Sequence, residues 1–212
     1  MEIKKAVIKG VILPTTGVVD YGQKLSTTIF TSGHAGSEYG TFTMENPTTT
    51  PKEVGTTSDV YKVVFTPFNT TNYATISDYI TLTVNPATLN LAISLTGTAQ
   101  VGKSLYALTN DIPANAVQYL YFEWYRVDAE DADYRTGYKV ASGSDYYTLT
   151  EGDGGKYIIC RVINVEGSPY ECEATCITDT AIEEQSLTFW QRLVNWFYRL
   201  ISNITQIFGR IM

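Results

Sequence analysis

Histidine is nearly missing from this chain of 212 residues, and cysteine is scarce. The single His34 stands in Ser32-Gly33-His34-Ala35-Gly36-Ser37, a loop-like stretch, and no nucleophile with an obvious base partner accompanies it. Acid–base or ligand chemistry through imidazole therefore lacks a second group to work with. The three cysteines, Cys160, Cys172 and Cys176, fit neither a disulfide framework nor a zinc-ligand spacing. Their odd number leaves at least one thiol unpaired within the chain. Charged residues make up only 17%, with a net charge of −7. Beyond Glu184 the only charges are Arg192, Arg199 and Arg210, so the part before them carries −10. No basic patch is available to displace counterions from a phosphate backbone, which argues against nucleic acid as a partner. No window of eighteen residues is free of polar side chains, so no single helix here spans a bilayer. Met1-Glu2-Ile3-Lys4-Lys5 is charged but lacks the apolar run of an export signal. The expectation is a protein that stays inside or a piece of a longer exported chain.

What is present leans towards strands. Thr, Tyr and Val are abundant, Tyr outnumbers Phe two to one, and Pro and Gly cluster between short apolar runs. In the first part, Ala6-Val7-Ile8 and Val11-Ile12-Leu13 read as an edge strand or a strand with a bulge. Val18 to Leu25 and Gly40 to Met44 follow, the second with Phe42 on one face and Thr41 and Thr43 on the other. Asp59 to Thr66, stopped by Pro67, and Ile80 to Val84, stopped by Asn85-Pro86, are the cleanest period-two runs. Strands at this spacing without intervening helices predict a sandwich.

The succession Tyr21-Gly22-x-x-Leu25, Gly40-Thr41-Phe42-Thr43, Pro51, Gly55, Tyr61-x-Val63-x-Phe65-Thr66-Pro67, Asn72-Tyr73 and Thr81-x-Thr83-Val84 carries a resemblance. It is similar to the immunoglobulin-like repeat modules of large secreted and surface proteins of gut Firmicutes. Met44 departs from that pattern, where Trp is common. The resemblance spans roughly residues 15–86 and implies an extracellular or cell-surface setting, without implying a ligand.

The second part runs from Leu89-Asn90-Leu91-Ala92-Ile93 through Gly102 to Leu108 and reaches Gln118 to Val127, the longest aromatic run of the β region. Alternation sends Leu120, Phe122 and Trp124 to one face and Tyr119, Tyr121, Glu123 and Tyr125 to the other. The Trp124 set is the expected core face, because Glu123 should stay wet. Tyr146 to Thr150 leads through Glu151-Gly152-Asp153-Gly154-Gly155-Lys156 into Tyr157 to Val162. The glycines precede a strand, so they lack the helix N-terminus that makes such loops cradle phosphate. Asp153-x-Gly155-x-Tyr157 resembles the tyrosine corner of immunoglobulin sandwiches, and with Trp124 upstream it implies an Ig-like fold. The whole passage is similar to a second kind of bacterial Ig-like surface module.

Period two groups Ile158, Cys160 and Val162 with Arg161 opposite, so Cys160 is expected to point inward near Trp124 as a small apolar filler. A hairpin over Glu166-Gly167-Ser168-Pro169 brings Cys172 to Cys176 alongside, and a register with Cys160 opposite Cys176 stays open. Unreactive thiols are favoured over a cross-strand disulfide, because neighbouring-strand geometry suits the bond poorly. Asp128, Glu130, Asp131 and Asp133 share one loop and offer the oxygen ligands calcium takes, although EF-hand order is missing and a solvated acidic loop is the plainer account. Tyr119, Tyr121 and Tyr125 are candidates for an exposed aromatic patch towards a host glycan or protein, with ordinary cross-strand packing the favoured explanation.

The tail has the only sustained helical period. Trp190, Phe197, Ile204 and Ile211 recur every seven residues, as do Leu193, Leu200 and Ile207, and Val194, Ile201 and Phe208. On a helix over 186–212 these rows merge into one apolar face flanked by Trp196. Three covers are compatible with it: other copies of the chain, a membrane surface, or the chain's own β region. Its width beyond a two-stranded seam favours a bundle of copies.

The expectation is a mainly β chain: two tandem Ig-like sandwiches at 1–86 and 87–183, then an amphipathic helix at 186–212. Function is expected to be non-enzymatic, that of an extracellular or cell-surface structural or adhesion protein assembled as a homo-oligomer through the helix. The competing expectation is a membrane-associated protein whose helix binds or perturbs a bilayer. No cofactor is expected beyond the calcium candidate.

Overall fold

The computed structural model describes residues 4–34 and 39–185, together with 191, 193, 194, 196–198 and 201. The chain is mainly β and forms several sheets. It divides into two compact units, the first comprising Met1–Leu91, Asp111–Leu120 and Ile163–Glu173, the second Ala92–Asn110, Tyr121–Val162 and Ala174–Met212.

In the first unit β1 (Thr16–Asp20), β2 (Ile29–Phe30), β3 (Gly40–Met44), β4 (Gly55–Pro67) and β5 (Ile76–Asn85) belong to one hydrogen-bonded sheet in the order β2-β1-β5-β4-β3. β1 runs parallel to β5, with Val19 opposite Val84, while the other pairs are antiparallel. β6 (Ala87–Thr88) pairs in parallel with Tyr170–Glu171, which is β13 in chain order. The alternation read from the sequence appears as one buried face: Val19, Met44, Val63, Ile80, Leu82 and Val84, closed by Leu25 from a 3₁₀ turn and by Leu13, Phe30, Phe42 and Tyr61. Each such side chain removed from water contributes roughly 1.5–3 kcal/mol. Gly40 is required where it stands, since a Cβ there would fall 2.6 Å from the Phe65 ring and against the Thr66 carbonyl. The early runs around Ala6 and Ile12 make only single bridges, to Tyr73 and His34.

Two further sheets make up most of the second unit, only the end residues Leu120, Ile163, Asn164 and Glu173 of their strands being counted with the first. β7 (Ala92–Gly97), β8 (Ser104–Asn110) and β11 (Tyr146–Thr148) form one in the order β11-β8-β7. β9 (Leu120–Val127), β10 (Tyr138–Ser142), β12 (Tyr157–Asn164) and β14 (Glu173–Ile177) form the other in the order β10-β9-β12-β14. Trp124 of the second sheet is fully buried against Tyr147 of the first, ring centroids 5.9 Å apart, and its Nε1 donates to the Ser144 carbonyl at 2.9 Å. A buried indole N–H needs such an acceptor.

Among the described residues of the tail, Gln191, Leu193, Val194, Trp196, Phe197, Tyr198 and Ile201 are helical, Trp196–Tyr198 consecutively. A continuous helix over 186–212 lies outside the described residues.

Candidate functional site

β9 departs from the expected one-sided burial. Trp124 is in the core as anticipated, but Glu123 and Tyr125 on the opposite face are buried too, at 6% and 9% exposure. Glu123 is therefore not wet, as its charge had suggested. The cover is supplied from a distance by the 3₁₀ turn Tyr134–Thr136, whose Tyr134 ring lies 5.3 Å from that of Tyr125. Glu123 is satisfied on every side: Tyr125 Oη donates to Oε2 at 2.9 Å, Arg161 Nη1 to the same oxygen at 2.8 Å, and Lys139 Nζ to Oε1. Arg161 in turn lies 4.6 Å from the Tyr134 ring centroid. Burial alone would raise the Glu123 pKa, yet the bonds from Lys139, Tyr125 and Arg161 together outweigh it and hold the carboxyl below its ordinary value. The same contact raises the pKa of Lys139. A carboxylate held ionised between two cations and a phenol is a tie between β9, β10 and β12, with no proton to donate near neutral pH.

The residues considered for an aromatic patch are thus mostly covered. Tyr125 is buried, and Tyr121 and Tyr119 are half-buried, the latter 6.0 Å from the Tyr170 ring.

The turn before β12 is organised by Asp153, which is fully buried. Its Oδ2 accepts from Tyr147 Oη at 2.8 Å, from the Thr150 N–H at 2.7 Å and from Thr150 Oγ1 at 2.8 Å, while Arg126 Nη1 reaches Oδ1 at 3.4 Å. Thr150 and Asp153 form a reciprocal capping box around the 3₁₀ turn Glu151–Asp153. Burial, reinforced by the Asp153 bond, pushes the Tyr147 phenol up to about 12. Tyr157, expected to tie this corner, packs among Tyr125, Val127 and Ile159, and the hydrogen bonds described here converge on the aspartate.

Two of the four calcium candidates are engaged individually. Asp128 accepts from Lys156 Nζ at 2.6 Å, a bond that lowers its pKa. Asp133 accepts the Arg135 N–H and Nη1, both at 2.8 Å, and is lowered chiefly by the backbone bond. Glu130 and Asp131 are exposed. Among the described residues no group of three or more His, Cys, Asp or Glu is placed to hold a metal ion. His34 is exposed, and its backbone N–H and carbonyl pair with Ile12.

The cysteines are free thiols. Cys160 is fully buried, as alternation anticipated, and burial together with neighbouring Cys176 pushes its thiol up to about 12. Burial also raises Cys172. Cys176, half-buried, borders a cleft of about 500 Å³ in the second unit, lined by Ser94 to Ala99 on one side and Cys176 to Thr180 on the other.

Of the tail residues expected to face a partner, Val194, Trp196, Phe197 and Ile201 are exposed and Leu193 is half-buried. Trp190, Leu200, Ile204, Ile207, Phe208 and Ile211 lie outside the described residues. Two aromatic residues that sequence reasoning passed over are exposed on the outer side of the three-stranded sheet: Tyr106 at 48% and Tyr146 at 49%, directly opposite one another on β8 and β11. Their alternation with buried Leu105, Ala107 and Tyr147 is the signal that marks them as outward-facing.

No protein-family model matches this sequence, and no curated protein matches it.

Proposed function

We propose that this chain is a non-enzymatic, exported surface protein in which Ig-like β modules are joined to an amphipathic segment through which copies assemble. The observation that carries the reading is the exposure of the described helical residues: Val194, Trp196 and Phe197 are 50%, 55% and 49% exposed. Large apolar side chains grouped in this way are costly to leave in water, and burial between copies relieves that cost. The order of the second unit's strands supports the Ig-like assignment. A three-stranded sheet faces a four-stranded one across a buried tryptophan, with β9 and β12 as neighbours. The carboxylates of Glu123 and Asp153 serve structural bonds, which fits a module used for reach and attachment. Assembly would then multiply weak contacts of each module into avidity.

Light scattering on the full chain and its Phe197→Glu variant tests the proposal. The expected result is a multimer that the variant reduces to a monomer. A monomeric full chain, or a multimer indifferent to the charge, overturns it. Co-sedimentation of the full chain with anionic phospholipid vesicles, lost in the same variant while the free protein is monomeric, would assign the segment to a membrane surface.

A further inference from the structure

We infer that the outer face of the β11-β8-β7 sheet is a binding platform for a neutral, extended oligosaccharide, centred on Tyr106 and Tyr146. The inference rests on the adhesive reading of the β modules and is independent of assembly through the tail.

The register places Tyr106 opposite Tyr146, and their ring centroids lie 6.0 Å apart with the planes inclined by 34°. Leu108, two residues on along β8, is 48% exposed beside them. Hydroxyls border the rings: Ser104 Oγ and Thr148 Oγ1 are 2.9 Å apart in the adjoining cross-strand pair, and Thr96 stands opposite Tyr106 on β7.

The chemistry of the face narrows the partner. Alternate residues of 92–96, 104–110 and 146–148 form it, nine in all, and none is Asp, Glu, Lys, Arg or His. In a chain of net charge −7 this is an uncharged island, unsuited to an anionic ligand and without the cations that a nucleic-acid backbone requires. Nine positions also fall well short of the roughly 20–30 residues a side that a stable protein–protein interface uses. Sugars fit better. The apolar C–H face of an equatorially substituted pyranose stacks on an aromatic ring, and its hydroxyls bond with neighbouring Ser and Thr. Tyr suits the role because it offers rigid area with few rotatable bonds. Two rings side by side on a sheet address successive residues of an extended chain, so the ligand class is a neutral β-linked oligosaccharide of glucose or a related equatorial sugar.

Saturation-transfer NMR with cellohexaose, and with maltohexaose as the coiled α-linked comparator, tests this on the full chain. Transfer to the sugar ring protons of cellohexaose is expected. Tyr106→Ala and Tyr146→Ala should each weaken binding about tenfold or more, Tyr106→Phe should retain most of it, and light scattering should show all three variants in the oligomeric state of the parent. The Phe197→Glu variant should keep binding in solution and lose only avidity on an immobilised glucan, which separates failure of the platform from failure of assembly. No transfer from the folded parent protein, transfer unchanged by the alanine variants, or equal transfer to maltohexaose overturns the inference. A fall in oligomeric state on Tyr106→Ala would also overturn it, by giving this face to a second copy of the chain.

Discussion

In the first unit the outward side of the sheet is built from hydroxyls that meet across strands. Thr56 Oγ1 lies 3.1 Å from Thr83 Oγ1, Ser58 Oγ 3.0 Å from Thr81 Oγ1, and Thr16 pairs with Thr31. In the second unit the outer face of the three-stranded sheet repeats this pattern, but the four-stranded sheet and the turns beside it add charged ties: Glu123 with Lys139 and Arg161, Asp153 with Arg126, and the exposed Asp128 with Lys156. The difference lies in what happens when one partner is lost. An exposed hydroxyl returns to water, whereas loss of a buried carboxylate leaves behind donors on buried side chains, the Tyr147 and Tyr125 phenols. The first unit is therefore specified mainly by its apolar face, whereas the second adds to its own apolar core polar ties that must be complete to be stabilising.

Asp153→Ala should break this contrast most severely. It strands Tyr147 Oη, the Thr150 N–H and Arg126, and removing one member of a buried charged network costs about 3–5 kcal/mol. Urea denaturation of the parent and variant would measure it, and a loss within about 0.5 kcal/mol would show that the hub is dispensable. In the first unit the comparable injury is steric. Gly40→Ala drives a methyl group against the Phe65 ring and should cost about 1–3 kcal/mol, read in the same titration.

Acid should separate the units by a smaller margin. Because the folded-state pKa of Glu123 is lowered from 4.5, its stabilising contribution is complete above that value and is lost as pH falls through the folded-state value. In an acid titration followed by NMR, native amide resonances of β9 should therefore disappear at higher pH than those of β4, and Glu123→Gln should narrow the gap. Simultaneous loss in the unmodified chain would remove the distinction. The least effect is expected for Thr56→Val, which deletes one exposed hydroxyl contact and should change stability by no more than about 0.5 kcal/mol in urea.

These residues also mark how far the sequence could be read. Of the inward set that period two gives for the first part, Phe42, Val63, Phe65 and Val84, the last three are buried and Phe42 is half-buried, because in a strand burial follows local alternation. Trp124 and Cys160 were placed inward on the same reasoning. Glu123 was misplaced because its cover, Tyr134, and its cations, Lys139 and Arg161, come from segments that only tertiary folding brings alongside. The parallel pairing of β1 with β5 spans more than sixty residues, and its register leaves no local signature. In the candidate calcium loop, composition was visible but partners were not: Lys156 and Arg135 each claim one carboxylate. Tyr106 and Tyr146 were readable as outward positions individually, but their facing across the sheet depends on the β8–β11 register.

β9 carries a wider consequence, since none of its eight residues is exposed. A strand with one side in water can vary at every second position with little penalty. β9 has no such side: one set is held by the core around Trp124, and the other by the cover of Tyr134 and the ties of Glu123. Sequence drift in this protein should therefore accumulate on the outward threonines of the first unit and leave β9 almost unchanged, so that a pattern of spared neighbours, rather than spared alternates, would identify this strand in divergent copies.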